Sequence, residues 1–217
     1  LVFCTLGWLS SFLFRAFRFK GEWKAHGKIS LWDALSLTFL HNAAVILVPF
    51  RVGELGYPVL VQKLLNVSLQ QCIRSLLWLR LQDGIVLLSL AFVCLPFLSL
   101  ELRIAGLLLV MALCFVTQKW WLRLLRSRHF LIRQVRAFLH QRSSPWGWFW
   151  SAANWIVKIL VVALMLSNLT GLDILQTLRG ALAGELSALL PLTGPAGFGT
   201  YEAGVWSGLG LNWQEMK

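Results

Sequence analysis

A handful of residues in this 217-residue chain have the types and spacings that chemistry requires. Arg51 and Glu54 follow Pro49, Arg80 and Asp83 stand three apart near the start of a long apolar run, and Lys158 lies alone inside another. Glu202 sits in the stretch Ser187 to Gly204, SALLPLTGPAGFGTYEAG, which puts two prolines and four glycines beside a carboxylate. A charged side chain at membrane depth costs about 2.5–3.5 kcal/mol even on the permissive insertion scale, so such groups mark either function or pairing. Guanidinium groups bind phosphate or carboxylate bidentately, and carboxylates compete for those cations, recognise a cationic group or do acid–base work. Arg80 with Asp83, and Arg51 with Glu54, can equally form local ion pairs that only fix helix packing. His26, His41, His129 and His140 make no HExxH-type pair, and Cys4, Cys72, Cys94 and Cys114 make no CxxC. No metal, disulfide or cofactor is therefore expected.

These residues need helices in lipid to hold them. The chain is 58% hydrophobic and 13% charged, with several apolar runs near bilayer length, the composition of an all-α polytopic integral membrane protein. Leu1 to Phe14 reads as the end of a spanning helix, followed by a basic loop with Arg15, Arg18, Lys20, Lys24 and Lys28 that should face the cytoplasm. Lacking a basic leader and a cleavage site, that first run is no signal peptide, and the chain reads as a fragment missing both ends. Leu31 to Val48 carries His41 and Asn42 and stops at Pro49, and Tyr57 to Val67 is too short to span alone. Arg74 opens a run to about Leu98, and Leu102 to Val116 follows. The net charge of +11 sits largely beside apolar segments, so anionic lipid surfaces explain it better than nucleic acid. Most of it lies in a cytoplasmic basic interfacial region, residues 119–148, where Lys119 to Arg142 interleaves arginines with Trp and Leu as a helix lying in the interface does. Trp146, Trp148 and Trp150 then anchor a spanning helix from Phe149 to Leu169.

Two cytoplasmic basic loops require an even number of crossings between them, yet three apolar segments lie there. The segment ending at Pro49 is the one that should not cross, and with the short arm after it forms a hairpin, residues 31–71, entering and leaving by one face. The second hairpin, residues 174–214, repeats its order of features: an apolar arm, a proline, a glycine-rich break, a glutamate, and a polar Asn/Gln finish. Two re-entrant helical hairpins entering from opposite faces make an inverted repeat whose broken tips meet near the midplane. Non-helical backbone is tolerated at that depth only where protein covers it or a cavity wets it.

The runs PFRVGE at Pro49 to Glu54, SLLWLRLQD at Ser75 to Asp83 and LPLTGPAGFGTYE at Leu190 to Glu202 resemble the lysylphosphatidylglycerol synthase transmembrane region family. That family includes the flippase domain of the multiple peptide resistance factor and stand-alone bacterial inner-membrane proteins. The resemblance covers most of the chain and implies a multi-pass protein of the bacterial cytoplasmic membrane that binds or moves phospholipids or related amphipathic lipids. Arg51, Gly53 and Glu54 match the first motif, Arg80 and Asp83 the second, and Pro191, Gly197, Gly199 and Glu202 the third. Tyr57-Pro58 stands where relatives often carry an arginine. Nothing here resembles the soluble aminoacyl transferase domain attached in some members, so no synthase activity is implied.

On this reading the arginines hold a lipid phosphate, aided by backbone N–H groups at the glycine-rich break, and Glu54 and Glu202 compete for the cations or recognise a cationic headgroup. The glycines have a second use, letting helices approach closely. Three functions stay open: a lipid translocase; a non-transporting lipid-binding partner or scaffold of a lipid-modifying or glycosylation enzyme, alone or as a homo-oligomer; and an intramembrane enzyme using Glu54 and Glu202 as an acid–base pair.

Overall fold

The computed structural model describes residues 2–27, 29–94, 99, 101–106, 108, 145–189 and 198–210, and every described element is helical. In chain order they are α1 (Val2–Glu22), a short 3-10 turn (Lys24–His26), α2 (Leu31–Leu47), a second 3-10 turn (Pro49–Leu55), α3 (Gly56–Leu65), α4 (Leu69–Val93), α5 (Pro145–Thr170), α6 (Ile174–Ser187) and α7 (Thr200–Leu209). The interfacial region expected over Lys119 to Arg142 lies outside the described residues, as does most of the segment from Leu102 to Val116.

Local chemistry sets the helix ends. Ser30 and Asp33 form a reciprocal capping box at the start of α2, and Ser68 and Gln71 form another at α4. The Asp173 carboxylate accepts from the Leu175 N–H at 2.9 Å and starts α6. Pro49 ends α2, because a proline disfavours helical backbone at the residue before it, and Val48 is extended. Asn66 closes α3 in the left-handed conformation, φ 52°.

Length separates two kinds of helix. Leu69–Val93 and Trp146–Thr170 are mostly apolar helices of 25 residues each, about 37 Å at 1.5 Å per residue, more than the ~30 Å hydrocarbon core needs. Only 39% and 33% of their apolar windows are buried, so most of that apolar surface faces outward rather than into a soluble core. By contrast α6 and α7, at 14 and 10 residues, reach only about 21 and 15 Å.

One sequence expectation is overturned. Arg15 and Arg18 were assigned to a cytoplasmic loop after Phe14, but α1 continues through both to Glu22. Phe12, Ala16, Phe19 and Trp23 recur at helical spacing and are buried, so the apolar stripe carries the helix past the charges. Arg18 is itself only 6% exposed.

Two cores stack along the bundle. Ala16, Phe19, Trp23, Leu37, Tyr57, Val61 and Leu76 join α1 to α4, and Leu87, Trp155, Ile159, Ala181 and Leu182 join α4, α5 and α6. Small residues allow the closest approaches. A Cβ at Gly7 would meet Val161 of α5, and on the α6–α7 pair a Cβ at Gly184 would meet Val205 and Tyr201, and one at Gly208 the Arg179 carbonyl.

Candidate functional site

A cavity of about 80 Å³ opens between α1, α2, α3 and α4, with its wall built from Arg15, Arg18, His41, Tyr57, Arg80 and Asp83 over a floor of Phe19, Leu37, Leu76 and Leu79. That space has room for a small ionic group. Phe19, Leu37, Tyr57 and Leu76 belong both to its lining and to the core that joins α1 to α4, so helices fixed by apolar packing present their charged residues to one point.

Asp83 on α4 is the fixed centre. Its Oδ1 accepts from Arg18 Nη1 at 2.6 Å, from Trp155 Nε1 at 2.8 Å and from Ser151 Oγ at 2.9 Å, tying α1 and α5 to α4. Arg18 spends its other terminal nitrogen on the Leu79 carbonyl at 2.7 Å and Gln82 Oε1 at 3.0 Å. A buried carboxylate with three donors, one of them the paired Arg18 cation, has its desolvation cost offset locally.

Arg80 faces the other way. Its Nε donates to Glu54 Oε2 at 2.9 Å, while its Nη1 lies 3.9 Å from Asp83 Oδ2, and its side chain is 31% exposed. The local Arg80–Asp83 pair anticipated from spacing is thus the looser contact of each partner. Glu54 reaches Arg80 from the 3-10 turn because Gly53 lets that turn lie on the backbone of α2, where any Cβ would collide with the Ala44 carbonyl.

Arg15 is the third guanidinium. It donates to Asn42 Oδ1 at 2.9 Å, and among the described residues no carboxylate pairs with it. His41 Nδ1 and Arg18 Nε, both on residues of the cavity wall, are buried without a hydrogen-bond partner. Among the described residues lining this cavity and their ion-pair partners, three guanidinium groups thus stand against Asp83 and Glu54, with orphaned nitrogens beside them. A monoanion with several acceptor oxygens satisfies both needs.

The remaining sequence candidates lie elsewhere. Gly199 and Glu202 meet each other away from the cavity: the Gly199 N–H donates to Glu202 Oε2 at 2.7 Å across the first turn of α7, and Glu202 is exposed. Pro191 and Gly197, and the side chain of Arg51, lie outside the described residues. Lys158, noted as a lone charge, pairs with Glu185 Oε2 at 2.7 Å, and Tyr201 donates to Glu185 Oε1 at 3.3 Å.

Sequence reasoning missed Arg15 and Arg18 as site residues. The signal was present in the 3- to 4-residue recurrence of Phe12, Ala16, Phe19 and Trp23, which places Arg15 and Arg18 within a helix rather than after one. Asn42 and His41 were noticed, but nothing in their spacing points to a partner on α1.

Neither the curated proteins nor the solved structures compared with this sequence include a match to it. The family model described as "Lysylphosphatidylglycerol synthase TM region" matches residues 1–212, and the chain belongs to that family, a membrane region related to lipid handling.

Proposed function

We propose that the protein is a multi-pass protein of the bacterial cytoplasmic membrane that binds a phospholipid, or a related amphipathic lipid, by its anionic headgroup and translocates it. The observation that carries this reading is Arg15, a guanidinium on the wall of a small cavity already holding Arg18 and Arg80, with no carboxylate of its own among the described residues. A headgroup phosphate supplies the missing charge and accepts from Arg15 and from Arg80, with His41 and Arg18 Nε at its edge.

Glu54 gives the site a way to release its ligand. It already occupies Arg80, so a phosphate entering the cavity competes with it, and its return displaces the phosphate. Because Glu54 belongs to the turn between α2 and α3, that exchange moves the tip of a hairpin. The short arms of α6 and α7 and the proline break after α2 support two re-entrant hairpins, an architecture that places such exchanges near the midplane. No bond is made or broken, so the activity is transport rather than catalysis.

The test is Arg15→Gln in vesicles containing the purified protein and a fluorescent phosphatidylglycerol. Losing one charged hydrogen-bond donor of about 1.5–3 kcal/mol should slow translocation by roughly 10- to 150-fold while leaving the folded fraction unchanged. A variant that translocates at the wild-type rate removes the cavity from the pathway.

A further inference from the structure

A second hollow, an open groove of about 290 Å³, lies between α2 and α3, with Leu37 and Leu40 on one side and Leu60 and Leu64 on the other. Asp33, in the first turn of α2, and Lys63, in the last turn of α3, flank its outer end, and Ser36 lies nearly a turn further in. One residue beyond Leu40 and three before Leu60, His41 and Tyr57 face each other with ring centroids 5.6 Å apart, and both line the charged cavity. Leu37 belongs to both linings, so its side chain is a wall that groove and cavity share.

The position of α4 gives the depth. Three residues separate its start at Leu69 from the end of α3, so the outer end of the groove lies level with the start of a helix long enough to cross a membrane. Arg80 and Asp83, on the cavity wall, stand 11 and 14 residues along α4, about 16–21 Å from that start at 1.5 Å per residue. The groove thus leads from one membrane face toward mid-depth, where the cavity is.

Its chemistry suits one class of molecule. Asp33 is engaged in the cap of α2, where its Oδ2 accepts from the Ser30 N–H at 3.3 Å and from the Ser30 hydroxyl at 2.6 Å. Lys63 is exposed, and among the described residues no carboxylate pairs with it. An ammonium at the mouth followed by leucine walls matches a lipid phosphate followed by its chains.

We propose that this groove is the path by which an anionic phospholipid of that leaflet reaches the cavity. The phosphate meets Lys63 at the mouth, the chains lie against the leucines, and the headgroup passes Leu37 to reach Arg15 and Arg80. Leu37 is 6% exposed, so its side chain must turn aside at each passage. A residue that acts only on the barrier changes entry and exit by the same factor and leaves the equilibrium affinity alone.

This inference rests on the headgroup reading of the cavity. It is tested by translocation of fluorescent phosphatidylglycerol in vesicles containing the purified protein, with calorimetric titration of the same proteins by dioctanoyl phosphatidylglycerol in neutral detergent. Leu40 is 56% exposed, so Leu40→Trp fills the groove without disturbing the core. It should remove most of the translocation and leave the affinity at the wild-type value. Lys63→Gln should slow translocation roughly 5-fold, the effect of one lysine at a membrane surface, again with unchanged affinity. Leu88→Trp, at a position of α4 that is 60% exposed and outside the groove, should change neither. Wild-type translocation in Leu40→Trp or Lys63→Gln overturns the path and leaves the headgroup site standing. An affinity that falls as far as the rate overturns it too, because the groove is then part of the resting site. Absence of dioctanoyl phosphatidylglycerol binding by the wild type overturns the headgroup reading, and this one with it.

Discussion

Asp83 and Arg15 show how differently two charged residues of one site behave. Asp83 is enclosed by Arg18, Ser151 and Trp155, so its first contribution is to hold three helices in place. Asp83→Asn leaves Arg18 buried without a counter-charge and should cost about 3–5 kcal/mol of stability, read as an earlier unfolding transition in detergent. Replacing both, Arg18→Met with Asp83→Leu, should recover most of that loss, because an absent buried pair costs less than a broken one. A double variant as unstable as the single one would show that Asp83 acts through Ser151 and Trp155 instead. Among the described residues Arg15 has only an amide to hold it, and its replacement should alter binding rather than folding.

At the scale of elements, the proline break between α2 and α3 decides where Glu54 can reach. The turn Pro49–Leu55 folds back onto α2 because Gly53 offers no Cβ to the Ala44 carbonyl. Gly53→Ala forces the two backbones apart, a shift costing about 1–3 kcal/mol, and pulls Glu54 away from Arg80. The expected result is a less stable protein that nevertheless binds anionic lipid more tightly, since Arg80 loses its competitor. A destabilised variant with weaker lipid binding would mean that the turn shapes the cavity rather than competing for it. The α6–α7 pair relies on small residues in the same way, with Gly180, Gly184, Gly204 and Gly208 at its seam.

For the whole molecule, the proposed architecture predicts which ends share a face of the membrane. On a cysteine-free background, Trp32→Cys and Leu69→Cys should be labelled from one side, and Asp173→Cys and Ser207→Cys both from the other. Labelling of either pair from opposite sides would make that segment a crossing helix and end the inverted-hairpin reading. The continuity of α1 sharpens this test. With Arg15 and Arg18 inside the bundle, the first basic cluster shrinks to Lys20, Lys24 and Lys28, and the argument from crossing parity weakens accordingly.

Much of the fold was legible from local chemistry. Pro49 and the long apolar runs of α4 and α5 each act within a few residues, so their consequences are readable without a partner. The motifs likewise marked Glu54, Arg80 and Asp83, because a charge in an apolar run is conspicuous whatever surrounds it. Pairing was not legible. Spacing favoured Arg80 with Asp83, three residues apart, whereas among the described residues Arg18 pairs with Asp83 across 65 positions, Arg80 with Glu54 across 26 and Lys158 with Glu185 across 27. Those distances follow from which helix faces pack against which, and Phe12, Ala16 and Phe19 set the facing of α1 only once α2, α3 and α4 are there to receive them. The sequence by itself determined an all-helical membrane protein with costly charges in apolar segments. Only the tertiary structure decided which charges neutralise one another, and so which guanidinium was left to face the cavity.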